Sequence, residues 1–288
     1  MRRARIGKCL ILAGTWLGCG DPPTRPAEGG VTSPEMLVSA SPTGGRYPNV
    51  ALMVGRTGEG SPWGPVCTGT LVARDVVLTA AHCIVLAPIF EGYTEFGVTF
   101  AAQFSPTARV IRVVESPIHP RFVLTFPFPS PDNPVDLFDL GLLILEEEVD
   151  LIPVQLPPPG WLDRRSRSSS PLTIVGFGIP RPEADAAERG TRRAGGARLD
   201  EVFDAVFSTR PDPAAGCFGD SGAPILVGAE KGSRGRRGVT MILGIVQSSD
   251  CATYTMHYRL DTPQAQEFLG MFLDIGRADI AAFGKRRR

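Results

Sequence analysis

Apolar residues fall in short runs between turn-forming residues, a pattern that predicts β-strands rather than long helices. Strand-like runs occupy residues 50–54, 67–72, 76–80, 108–115 and 140–145. After the stretch Pro157-Pro158-Pro159-Gly160 they resume at residues 172–178, 201–208, 224–227 and 239–247. Two groups of short strands with a Pro-rich joint between them predict two small β-barrels in tandem, about 45–155 and about 156–260. Helical spacing is confined to residues 262–283, so the fold class is all-β with one C-terminal helix. Residues 180–198 and 228–238 are charged and Gly-rich and read as exposed loops. No internal repeat occurs.

Composition sharpens this picture. The 33 Gly and 27 Pro are spread along all 288 residues, as expected for many turns. Lys plus Arg and Asp plus Glu each number 30, so no net basic surface exists to attract nucleic acid. The N-terminus points to export. Arg2, Arg3, Arg5 and Lys8 precede an apolar run, residues 9–18, too short to span a bilayer and laid out like a secretory signal. It ends in Leu17-Gly18-Cys19, which resembles a bacterial lipoprotein signal whose cysteine is lipidated. The expected organisation is a signal at 1–18, a flexible Pro/Gly/Ser/Thr-rich tether at 19–44 and a folded domain at 45–284. The localisation implied is the cell envelope, anchored through Cys19, or the extracellular space. Of six cysteines, Cys9 and Cys19 lie in the export segment. Cys67, Cys83, Cys217 and Cys251 form an even set bound for an oxidising compartment, where disulfides form. No Cys-x-x-Cys pair occurs and only three histidines are present, so no metal and no cofactor are expected.

Side-chain nucleophilic hydrolysis needs a hydroxyl, a base and a group that orients the base. The base must be His82, His119 or His257. His82 follows an apolar strand in Leu78-Thr79-Ala80-Ala81-His82-Cys83, where a rigid element holds the ring. His119, in the turn-like Ile118-His119-Pro120-Arg121, reads as structural, and His257 as a partly buried histidine of a late strand. Ser221 lies in Gly219-Asp220-Ser221-Gly222-Ala223-Pro224. Glycines on both sides let consecutive N–H groups converge on one hollow that can hold a developing oxyanion.

These motifs resemble the chymotrypsin and trypsin family of serine peptidases. Thr79-Ala80-Ala81-His82-Cys83 and Gly219-Asp220-Ser221-Gly222 match its histidine and serine motifs, and Asp139-Leu140-Gly141-Leu142-Leu143 is similar to its aspartate motif. The resemblance spans about residues 45–275, in the family's order His, Asp, Ser. It implies two six-stranded antiparallel barrels, a triad of His82, Asp139 and Ser221, and an oxyanion hole from the N–H groups of Gly219 and Ser221. Asp136 is the rival carboxylate but heads no apolar strand. Disulfides Cys67–Cys83 and Cys217–Cys251 are implied, as is a protein or peptide substrate.

Three departures bear on function. The family's zymogens free an Ile/Val-Val-Gly-Gly terminus that pairs with the Asp before the nucleophile; here the region reads Ser41-Pro42-Thr43-Gly44-Gly45-Arg46, leaving Asp220 without that partner. Ala223 replaces a usual Gly. Ala215 stands where cleavage after Lys or Arg requires an Asp, and the strand carrying Gln247, Ser248 and Ser249 lacks its usual aromatic. A pocket made of Ala215, Gln247 and Ser249 implies cleavage after small or medium apolar residues. The competing readings are a catalytically silent, surface-anchored binding module and an esterase. No Gly-x-Ser-x-Gly elbow supports the esterase.

Overall fold

The computed structural model describes residues 40–165, 171–185, 188–228 and 240–273. The first barrel contains β2 (Val50–Arg56), β3 (Gly64–Ala73), β4 (Val76–Thr79), β5 (Glu95–Thr99), β6 (Ile111–Glu115) and β7 (Gly141–Leu145). They close in the order β2-β3-β4-β7-β6-β5, every pair antiparallel. The second contains β8 (Leu172–Gly176), β9 (Arg193–Val202), β10 (Val206–Pro211), β11 (Pro224–Val227), β12 (Met241–Ser249) and β13 (Thr255–Arg259). Its order is β9-β10-β13-β12-β11-β8, and the β8–β9 pairing closes the ring. The two-residue β1 (Ser41–Pro42) adds to the edge of β9. Closure leaves few unpaired strand edges, which is how short strands such as Val76–Thr79 become fully buried.

The two six-stranded antiparallel barrels are those expected, and the helix α3 (Pro263–Leu273) follows the second. The rest of the predicted helix, 274–283, lies outside the described residues, as do the signal segment and Cys19. Other elements differ from expectation. The chain after β4 forms a helix, α1 (Ala81–Phe90), outside the helical spacing expected at 262–283; its residues are nearly all apolar and so give no amphipathic signal. A second, short helix, α2 (Trp161–Arg165), lies in the segment between the barrels. The run at 201–208 is two strands, β9 and β10, with Phe203 N–H bonded to Val206 O at the turn between them. The supposed exposed loop at 180–198 contributes the first half of β9.

The expected tether runs through residue 44, yet Ala40 and Thr43 are buried. Ala40 packs with Ala214, and Thr43 is held by Arg192, only 2% exposed. Its Nε donates to Thr43 Oγ1 (3.1 Å), Nη1 to Val50 O (3.0 Å) and Phe100 O (3.1 Å), and Nη2 to Gly44 O (3.3 Å). A buried guanidinium must have its donors satisfied, and the segment at 43–44 supplies two acceptors. Two disulfides complete the frame: Cys67–Cys83 ties β3 to the first turn of α1, and Cys217–Cys251 ties the segment before Ser221 to the connection between β12 and β13.

Candidate active site

His82 is the second residue of α1, directly after β4 ends at Thr79. Its backbone N–H donates to Asp139 Oδ1 at 2.8 Å, and its ring Nδ1 lies 2.7 Å from Asp139 Oδ2. One residue thus occupies both carboxylate oxygens, and Asp139 is fully buried. With Nδ1 donating to the carboxylate, Nε2 is left with its lone pair, the form a base requires. Asp136, by contrast, accepts the Phe138 N–H at 2.9 Å, a local turn contact.

Ser221 sits in a turn with Gly219 at φ of 95° and Gly222 at φ of 78°, a region that disfavours side chains. Thr68 of β3 fixes this turn twice: its N–H donates to Ser221 O (3.0 Å) and its Oγ1 to Gly219 O (3.0 Å). Gly222 N–H donates to Val246 O at 2.8 Å. A side chain on Gly222 would strike Thr68 O, Thr79 Oγ1 and, at 2.9 Å, Ala80 N. The serine turn is therefore pressed against the end of β4, two residues before His82, at the junction of the barrels. Among the described residues, neither the Gly219 N–H nor the Ser221 N–H donates to a protein acceptor.

The family model for trypsin matches residues 41–260, from β1 to just beyond β13. The chain belongs to the trypsin family. In this trypsin-family chain the aspartate before the serine has main-chain hydrogen-bond donors. Asp220 is fully buried and accepts N–H groups from Gly178 (2.8 Å) and Cys217 (2.9 Å). Burial pushes its pKa up to about 7, against these hydrogen bonds and the charge of Arg193. Gly176 and Gly178 have no side chains because the Asp220 carboxylate lies against both positions.

The residues assigned to the pocket are placed unequally. Ala215 is buried, and its neighbour Gly216 donates to Thr255 Oγ1 at 2.9 Å. Ser249 Oγ lies 2.7 Å from both Gly216 O and Tyr254 O, to either of which its single proton can be donated, and it accepts the Cys251 N–H at 2.9 Å. Gln247 is 2% exposed, and its amide atoms have no protein partner among the described residues. Such a buried amide is a place for water or a polar substrate group. Sequence reasoning missed Thr68 and Phe128. The Phe128 ring lies 5.3 Å from that of His82, and no periodicity marked its loop.

The other two histidines lie elsewhere. His257 is buried, bonded through Nε2 to Thr209 Oγ1 (2.9 Å) and stacked on Phe207 at 4.8 Å. Burial pushes its pKa down to about 3, so it stays a neutral core residue at ordinary pH. His119 is also buried, and burial lowers its pKa as well. Cys67, His82 and Cys83 bring ligand-type atoms within 4.8 Å of one another. The two sulfurs are bonded to each other, however, and offer no thiolate to a metal.

Proposed function

We propose that the protein is an exported serine endopeptidase working through Ser221, His82 and Asp139. The observation that carries this reading is the pair of N–H groups without protein acceptors, on Gly219 and Ser221, beside a serine turn docked two residues from a carboxylate-anchored imidazole. Ser221 Oγ attacks the scissile carbonyl while His82 Nε2 takes the hydroxyl proton. The carbonyl oxygen gains negative charge and is met by the two N–H groups, preset donors that need no reorganisation. The C–N bond breaks as His82 returns the proton to the leaving amine, giving an acyl-enzyme. Water then repeats the sequence and releases the acid. Asp139 holds the ring and stabilises the imidazolium formed in each half. A fluorophosphonate probe should phosphonylate Ser221, located by peptide mapping. A folded protein that takes no label would instead support the silent binding module.

Selectivity follows from the buried, uncharged Ala215. A Lys or Arg side chain would arrive there without a counter-ion. Losing a buried ion-pair partner is typically worth several kcal/mol, and about 1.4 kcal/mol is tenfold in rate. We expect kcat/KM to be on the order of a hundredfold higher after Ala, Val or Leu than after Lys or Arg. Ala215→Asp should shift selectivity toward basic residues. A peptide-library profile of the unaltered enzyme dominated by Lys and Arg would overturn the assignment of Ala215. Phe128, with Phe126 at 5.0 Å and 65% exposed, adds an apolar rim beside His82. Its loop is held to the second barrel by the Ser248 hydroxyl donating to Pro129 O.

Two disulfides fit an oxidising compartment. Among the described residues no helix is long and apolar enough to cross a membrane. Anchoring is proposed through lipidated Cys19, and Cys19→Ala should move the protein from the membrane to the soluble fraction. Equal fractionation of the two forms would remove the lipid anchor from this reading.

A further inference from the structure

Phe138, the residue directly before Asp139, has φ of 52°. That left-handed region is unusual for a bulky aromatic, and such a conformation persists only where its surroundings over-determine it. The surroundings here are specific. The Phe138 ring stacks on His119 with centroids 4.9 Å apart and planes 22° from parallel. The Arg121 guanidinium carbon lies 3.9 Å from the same ring centroid, a close cation–π contact.

His119 is itself held from several sides. Its Nδ1 accepts the Arg121 N–H (3.1 Å), its backbone N–H donates to Leu140 O (2.8 Å), and its ring meets Phe268 of α3 at 5.2 Å. The main chain around Asp139 is pinned as well. Phe138 N–H donates to Asp136 Oδ1 (2.9 Å), Leu140 N–H to Phe138 O (2.8 Å) and Val123 N–H to Leu137 O (3.0 Å). Rotation about φ of Phe138 swings everything that follows, beginning with Asp139. Relaxing it to the usual negative value would turn the Asp139 carboxylate off the two His82 donors it now meets.

We propose that Phe138, clamped by His119 and Arg121, is a positioning residue that sets the direction from which Asp139 meets His82. The proposal rests on the triad reading above, but its central measurement does not require turnover. The proton between His82 Nδ1 and Asp139, in a 2.7 Å hydrogen bond, gives a far-downfield NMR resonance that reports this contact directly.

Phe138→Ala removes the clamped ring. In the full chain it should weaken or displace that resonance and lower kcat about 10- to 100-fold, with KM changed less than about twofold. Phe138→Tyr keeps the ring and should restore both. Arg121 is exposed, so Arg121→Met keeps the fold and should move both readouts the same way, kcat by about two- to fivefold. A folded Phe138→Ala protein with unchanged resonance and kcat overturns the proposal. If Phe138→Ala does not fold, unchanged readouts in Arg121→Met overturn it. An unaltered chain that shows the resonance but has no peptidase activity sinks the triad reading and leaves the positioning test standing.

Discussion

Ser221→Ala should reduce kcat by on the order of 10⁵- to 10⁶-fold and abolish fluorophosphonate labelling, while substrate affinity changes by less than about threefold. The size follows from the division of labour. Without the hydroxyl no acyl-enzyme forms, and the geometry of His82 and Asp139 then has nothing to activate. What remains is the pair of N–H groups on Gly219 and Ser221, which an alanine backbone preserves, so peptides still bind. Single-turnover kinetics with a chromogenic ester and a binding measurement on the variant check both halves. Activity retained within tenfold would place the nucleophile elsewhere.

The second large effect separates two carboxylates three residues apart. Asp139→Asn should lower kcat by about 10⁴-fold, and Asp136→Asn by less than about threefold. The His82 backbone N–H requires an oxygen at the Oδ1 position, 2.8 Å away. An amide meeting that demand turns its NH₂ toward the ring, 2.7 Å away at Nδ1. The ring must then accept at Nδ1 and carry its proton on Nε2, the wrong tautomer for taking a proton from serine. At position 136 an amide oxygen can still accept the Phe138 N–H, so little changes. The pH–rate profiles of both variants, with fold checked by circular dichroism, decide the matter. Equal losses from the two substitutions would mean that Asp136 shares the role.

The triad motifs were legible because each combines residue types that few other structures need in that order, and the barrels because short apolar runs kept returning between turns. Other parts were hidden for identifiable reasons. The segment holding β9 is charged and Gly-rich, yet Arg193 through Ala197 pair with β8 residue by residue. Its glycines lie where Ala214 Cβ and Asp212 O approach closely, a constraint set by tertiary contacts and invisible to local propensity. The helix α1 carried no amphipathic stripe because it is apolar on every side. Asp220 lacked its usual partner in the sequence because its donors are main-chain N–H groups, which every residue but proline possesses. Phe138 gave no signal either: a left-handed backbone angle is written in contacts with His119 and Arg121, not in the residue type.

Arg192 adds a consequence for how the molecule assembles. It leads into a strand of the second barrel, but two of its acceptors, Val50 O and Phe100 O, come from the first barrel and the residue after it, 142 and 92 positions away. Its other two acceptors, Thr43 Oγ1 and Gly44 O, precede the first barrel, so a second barrel formed alone would lack all four, a costly state for a buried cation. Neither half of the chain should therefore persist as an independent folding unit. Unfolding should be a single cooperative transition, and folding, dependent on closing such long loops, should be slow for a protein of this size.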